Sequence, residues 1–235
     1  MHIVDTITPK SPFHNRMYFG QSGTGKTHHF TKYLLEFKRF YPDNEVRKIL
    51  IFSPKFTTEH KKIQDFYKEK VEYYADFDEN VSKAFEDHTS NSVCIIVIDD
   101  LACDLSKSHL LEKIFTTMTR HNHLQVIFTC QSLFMSNSDI FKSIVKNAHV
   151  VILMNSPRER NSILILFRQL FGNKSTKFAE FVLDEAQKES FRRYNHPYYD
   201  ICLNLTPECN PNFRVLSDIL SPYPLAYIKD RSNLK

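Results

Sequence analysis

Short apolar runs alternate along the chain with longer segments whose apolar residues return every three or four positions. The first pattern marks strands and the second helices. Residues 16–19 end a first strand. Residues 26–40 read as a helix, with Phe30, Tyr33, Leu34 and Phe37 on one face and Pro42 ending it. Residues 48–53 fit a strand stopped by Pro54, 58–70 a polar helix, 71–74 a short strand and 80–87 a short helix. Residues 93–98, Val-Cys-Ile-Ile-Val-Ile, are apolar throughout, as in a strand buried on both faces. A helix over 108–121 follows, capped by Ser106 or Ser108. Then come a buried strand over 125–129, a helix over 139–147 and a strand over 150–154. Residues 157–171 and 175–191 read as helices, with Pro157 near the start of the first and Gly172 stopping it. The second is capped by Ser175 or Thr176. Residues 198–205 predict an edge strand, and the Pro-richer chain from about 207 predicts a surface tail. Strands alternating with helices in this way predict the α/β class, a wound, mainly parallel sheet flanked by helices.

Composition narrows the picture without changing it. The 235 residues suffice for a single domain with its own core. A net charge of +4 permits a nucleic-acid partner without demanding one. No run approaches the roughly 18 apolar residues that span a bilayer. The first thirteen residues carry Pro9 and Pro12 and no long apolar run. Neither a membrane partner nor a secretory leader is expected. The five cysteines, Cys94, Cys103, Cys130, Cys202 and Cys209, form no CxxC pair and have no zinc spacing. They read as buried, reduced thiols of an intracellular protein.

The candidate chemistry begins at Gly20-Gln21-Ser22-Gly23-Thr24-Gly25-Lys26-Thr27, which fits G-x-x-x-x-G-K-[ST] at every fixed position. Three of the chain's four glycines fall in this window, so the concentration is specific. Glycines let the backbone turn tightly and aim N–H groups at phosphate oxygens. The helix that follows offers its positive N-terminus to the same charge. Gly20, Ser22, Gly23, Thr24, Gly25, Lys26, Thr27 and His28 form the candidate nucleotide-binding set. Lys26 reaches the β- and γ-phosphates, and the Thr27 hydroxyl faces Mg²⁺. The nucleotide is expected to be ATP, and the P-loop NTPase is expected to hydrolyse it.

Three further elements follow strands. Residues 93–98 end in Asp99-Asp100. A carboxylate at the end of a buried strand beside the phosphate strand holds the Mg²⁺ shell, which suits Asp99, and Asp100 is then placed to polarise water. An acidic pair after a strand also serves as a turn or helix cap. Gln131 closes the strand over 125–129, at the end where wound sheets bind ligands, and can sense the γ-phosphate or cap the strand. Arg120 ends a helix, where it complements the dipole or acts as an arginine finger on a neighbouring subunit. Lys26, Asp100, Gln131 and Arg120 are the candidate catalytic residues, and Thr27 and Asp99 the candidate metal ligands.

Together, the loop at 20–27, Val-Ile-Asp-Asp at 97–100, and Thr119-Arg120-His121 leading into Val126-Ile127-Phe128-Thr129-Cys130-Gln131 resemble the genome-packaging ATPases of the FtsK/HerA superfamily, in feel the poxvirus-type ATPases of DNA viruses. The resemblance covers about residues 16–154. It implies a RecA/ASCE-like fold with an added strand between the two Walker motifs, for which 48–53 and 71–74 leave room. It implies a homo-oligomeric ring that moves double-stranded DNA into a capsid, with a capsid or portal protein as partner. The work would be done inside a virus's host cell, in cytoplasm or nucleus, or in association with the virion. The chain lacks the extra domains of cellular FtsK and HerA and any recognisable nuclease domain. Lys107, Lys142 and Lys146 are candidates to contact DNA, though a solvated helix face is the commoner explanation for such charges. An ATPase that powers protein assembly or secretion, or a nucleotide kinase, remains an alternative reading.

Overall fold

The computed structural model describes residues 9–77, 81, 91–105, 108–134 and 139–229. The expected helix over 80–87, apart from residue 81, and the candidate Lys107 lie outside these residues. One nine-stranded sheet organises the chain: β1 (Asn15–Phe19), β2 (Glu45–Phe52), β3 (Val71–Tyr74), β4 (Ser92–Ile98), β5 (Leu124–Cys130), β6 (Val150–Met154), β7 (Asp200–Asn204), β8 (Val215–Ser217) and β9 (Leu225–Ala226). Their order across the sheet is β3-β2-β4-β5-β1-β6-β7-β8-β9. Pairings from β3 to β6 are parallel, and those from β6 to β9 antiparallel. The expected α/β class, with a mainly parallel sheet between helices, is what forms.

Both faces of the sheet are covered. Along β4, Cys94, Ile96 and Ile98 enter one apolar cluster, and Val93, Ile95 and Val97 enter the other. This two-sided burial is why the strand reads as a continuous apolar run. On the second face lie α1 (Lys26–Leu35), through Phe30, Tyr33 and Leu34, and α2 (Thr58–Tyr67), through Ile63. The first face is covered by α3 (His109–Lys113), α4 (Asp139–Lys146), α5 (Arg160–Phe171) and α6 (Thr176–Tyr194). Truncating a side chain such as Ile96, which is fully buried, to Ala would cost about 2–5 kcal/mol.

The sheet corrects three expectations. The strand of Asp99 is not the neighbour of the phosphate strand: β5 lies between β1 and β4. The strand inserted in space is therefore the one over 125–129, while 48–53 and 71–74 form β2 and β3 on the outer side of β4. The strand expected at an edge over 198–205 is β7, paired on both sides, by β6 and β8. The tail from about 207 does not simply lie on the surface. Its β8 and β9 extend the sheet, and Val215, Leu216, Ile219 and Leu220 are buried.

Helix boundaries follow the sequence with two interruptions. The helix over 26–40 breaks at Glu36, and a short turn, Phe37–Phe40, follows. The helix over 108–121 opens on Ser108, whose Oγ accepts from the Leu111 N–H, and widens into a π turn at Ile114–Met118 before Thr119–His121.

Candidate functional site

Because β1, β4 and β5 run parallel, the segments that follow them gather at one end of the sheet. The loop after β1 is anchored there by the Gly20 N–H, which donates to Cys130 O at 3.2 Å. Gly20 has no room for a side chain: a Cβ would meet Thr24 Oγ1 at 2.6 Å and Met154 Cβ at 2.8 Å. Gly25 caps α1 with φ 89°, in the left-handed region, and supplies no side-chain cap. The first turn of α1 holds no acidic residue, so the helix presents an open N-terminus to an anion. Thr24 is buried, and its Oγ1 donates to Gln21 O at 2.8 Å, which fixes the turn. Ser22 and Gly23 lie exposed on the loop.

Lys26 is buried beneath the loop, with Nζ donating to Gly20 O at 2.6 Å and Gln21 O at 3.0 Å. Burial pushes its ammonium below the ordinary value, opposed by the carboxylates of Asp100 and Asp99. His28, one residue past the expected magnesium ligand, is exposed on α1, with Nδ1 3.4 Å from Glu59 Oε2.

Asp99 is the hub of the site. It is 2% exposed, and three side chains reach it. Thr27 Oγ1 donates to Oδ2 at 3.0 Å, and Thr129 Oγ1 donates to Oδ1 at 2.7 Å. His60 Nε2 stands 3.2 Å from Oδ2. The proton on His60 can be placed. Its Nδ1 faces the backbone N–H of Thr57 at 3.3 Å and must accept, so Nε2 carries the hydrogen and donates to Asp99. The same contact completes a capping box at the start of α2, where Thr57 Oγ1 accepts from the His60 N–H. Three donors on a buried carboxylate fix its orientation. The Thr27 hydroxyl and Asp99 carboxylate are hard oxygens 3.0 Å apart beside the loop, a donor set that suits Mg²⁺. Among the described residues no three His, Cys, Asp or Glu side chains converge on a metal site of their own.

Asp100 sits beside the hub in a left-handed conformation, φ 59°. Its N–H donates to Thr129 Oγ1 at 3.0 Å, which holds this strained turn in place. The side chain is open to solvent, yet burial of its inner edge raises the carboxyl above its ordinary range. The Asp99 charge adds to the rise, against Lys26 and His60. Gln131 follows β5 directly and is exposed at the same end of the sheet.

Residues Thr119–His121 precede β5 and so lie at the other end. Thr119 Oγ1 donates to Asn15 Oδ1 at 2.6 Å, at the first residue of β1. The length of β1, roughly 17 Å at about 3.3 Å per residue, separates that end from the loop. Arg120 therefore cannot serve the phosphates of its own subunit. Its side chain lies outside the described residues.

The loop, Thr27, Asp99, Asp100 and Gln131 thus converge, and Arg120 does not. Sequence reasoning missed Thr129, which it read only as a strand residue, and His60, which it placed in a polar helix. Thr57 three residues before His60 is the one local signal, and it speaks of a helix cap rather than of Asp99. Of the cysteines, Cys94, Cys130, Cys202 and Cys209 are buried, while the side chain of Cys103 lies outside the described residues. No described helix is long and apolar enough to cross a membrane.

No protein-family model and no curated protein sequence matches the chain. Solved structures do resemble it. The DNA-packaging ATPase B204 of Sulfolobus turreted icosahedral virus superposes with a TM-score of 0.52 at 14% identity, covering 83% of this chain and 94% of that one. The genome packaging NTPase B204 of Sulfolobus turreted icosahedral virus 2, in complex with sulfate, gives 0.53 at 12% identity, covering 83% and 93%. Its complex with ATP-γS gives 0.52 at 14%, with the same coverage. At these identities the likeness is one of fold, that of P-loop ATPases.

Proposed function

We propose that the chain binds ATP with Mg²⁺ on the loop at 20–27, hydrolyses it, and uses the cycle to move double-stranded DNA, packaging a viral genome as a ring of identical subunits. The observation that carries the catalytic part is the Asp99 hub, which joins the phosphate-loop residue Thr27 to Thr129 of β5 and His60 of α2. Lys26 exchanges the carbonyls of Gly20 and Gln21 for the β- and γ-phosphates. Thr27 and Asp99 hold Mg²⁺, which when bound draws off phosphate charge. Asp100 takes the proton of the attacking water on a carboxylate oxygen as the water oxygen bonds to the γ-phosphorus and the bond to ADP breaks. Gln131 orients that water. Arg120, too far to act within its own subunit, stabilises the γ-phosphate of a neighbour.

The motor part draws its support from the shared fold with a viral DNA-packaging ATPase over nearly the whole length of that protein, together with the motif order of the sequence. Of the basic candidates, Lys142 is already paired with Asp139 at 2.9 Å, which leaves Lys146 as the better candidate on α4. A capsid or portal protein is the partner the packaging role requires.

The test is ATP turnover with and without double-stranded DNA at low and moderate salt. DNA should stimulate turnover, and the stimulation should fade with salt as phosphate contacts are screened. Turnover indifferent to DNA in a chain shown to form rings refutes the DNA motor and favours an assembly ATPase.

A further inference from the structure

A cavity of about 550 Å³ opens beside the phosphate loop, against β6, β7 and β8 and so on the side of β1 away from Asp99. Its volume lies in the range that holds a small organic ligand. Gly25, His28, His29 and Lys32 of α1 and its cap border it on one side. The end of α6, the loop after it and β8 border it on the other.

Two independent features make it a built site. The first is an unsatisfied polar floor. His29 is 8% exposed, and neither ring nitrogen has a hydrogen-bond partner. Its Nε2 stands 3.7 Å from Asp200 Oδ1, beyond hydrogen-bond distance, and Asp200 Oδ2 is also unpartnered. Buried polar groups are nearly always satisfied. A donor and an acceptor left open side by side mark where a ligand completes them. The second feature is an aromatic wall. The rings of Tyr194 and His196 stack at 5.6 Å with 16° between planes, and Tyr198 adjoins His196 at 5.8 Å. The Tyr194 hydroxyl donates to Asp218 Oδ2 at 2.6 Å, and Arg193 Nη1 donates to the same oxygen at 2.9 Å, so the platform is held in place. Tyr194 and Tyr198 are nonetheless 47% and 55% exposed, open for a flat ring to cover.

We propose that this cavity takes the base and ribose of the nucleotide whose phosphates lie on the loop, and that the base is a purine. Gly23, Thr24 and Gly25 border both the phosphate site and the cavity, so a nucleotide bound on the loop extends into it. An amino group of the base donates to Asp200, an acceptor on the same edge takes a hydrogen from His29, and the ring stacks on the tyrosines. A pyrimidine, one ring smaller, bridges wall and floor less completely. The late strands β7–β9 thereby acquire a role: they build the base site. The proposal rests on the phosphate-loop reading above.

The test is equilibrium binding of ATP, CTP and inorganic tripolyphosphate to the full chain and to Asp200→Asn, Tyr194→Ala and Lys26→Ala. The unaltered chain should bind ATP at least about tenfold tighter than CTP or tripolyphosphate, the order of one base–aromatic stack. Asp200→Asn, nearly isosteric, and Tyr194→Ala, at an exposed ring, should each weaken ATP by about tenfold and leave tripolyphosphate unchanged. Should Asp200→Asn fail to fold, Tyr194→Ala decides. ATP no tighter than tripolyphosphate, or an ATP preference that survives both variants, overturns the base site. Tripolyphosphate binding that ignores Lys26→Ala is a different failure, that of the phosphate loop itself, and removes the proposal's premise.

Discussion

Replacing His60 by Ala removes one of the three donors on Asp99 without touching the nucleotide loop. The imidazole is fully buried, stacked 6.2 Å from Phe30, and bonded to Asp99 Oδ2 at 3.2 Å and to the Thr57 N–H at 3.3 Å. A hydrogen bond to a charged group contributes about 1.5–3 kcal/mol. Loss of ring volume and of half the capping box adds to that, so the variant should be less stable by about 2–4 kcal/mol. The functional effect should be distinct. Without the imidazole, Oδ2 is held by Thr27 alone, the residue proposed to share the metal with it. Loss of a group that orients a metal ligand typically weakens metal affinity or activity about ten- to hundredfold. The assay is ATP turnover against Mg²⁺ concentration, with nucleotide binding measured separately in EDTA. His60→Ala should need about tenfold or more extra Mg²⁺ while binding metal-free ATP normally. His60→Gln, which carries an N–H donor near the position of Nε2, should restore part of the loss. A folded His60→Ala with unaltered Mg²⁺ dependence would refute the orienting role.

Three further outcomes follow from the site. Lys26→Ala should leave the thermal melt largely intact and reduce turnover below detection, since the cation buried under the loop is lost; retained turnover removes the site assignment. Gly20→Ala should cost about 1–3 kcal/mol in denaturant unfolding and abolish nucleotide binding, because its Cβ would lie 2.6 Å from Thr24 Oγ1; a neutral result would mean the loop yields freely. Arg120→Ala should bind ATP and fail to turn it over, and mixing it with Asp100→Asn should recover activity at interfaces where each completes the other. Mixtures as inactive as either variant alone would rule out a finger acting between subunits.

The parts legible in the sequence were those whose signal is local. The apolar run at β4 reports burial on both faces by itself, and the phosphate loop concentrates three glycines and a lysine in eight residues. Strand order is not local. In a parallel sheet each connection crosses over, so nothing within 124–130 says that it lies between β1 and β4. β8 is three residues long, too short for any period to register, and its pairing with β7 is what moves β7 inside the sheet. His60 was invisible for a related reason: its partner Asp99 is 39 residues away, and its own neighbours describe only a helix cap. The left-handed turn at Asp100 likewise depends on Thr129, from a strand that follows it in the chain. The cavity beside the phosphate loop was equally hidden, since α1 and the segments near 194–200 and 218 meet only once the antiparallel strands have formed.

The most direct test of a hydrolytic centre at the Asp99 hub is phosphate release from ATP and Mg²⁺ by the purified chain beside its Asp99→Asn variant. The substitution is nearly isosteric and removes the charge that Thr27, Thr129 and His60 converge on. Turnover in the unaltered chain that falls at least about a hundredfold in the variant, with ATP still bound, is the expected result. Equal turnover in both, or none in either, would contradict a hydrolytic centre at Asp99.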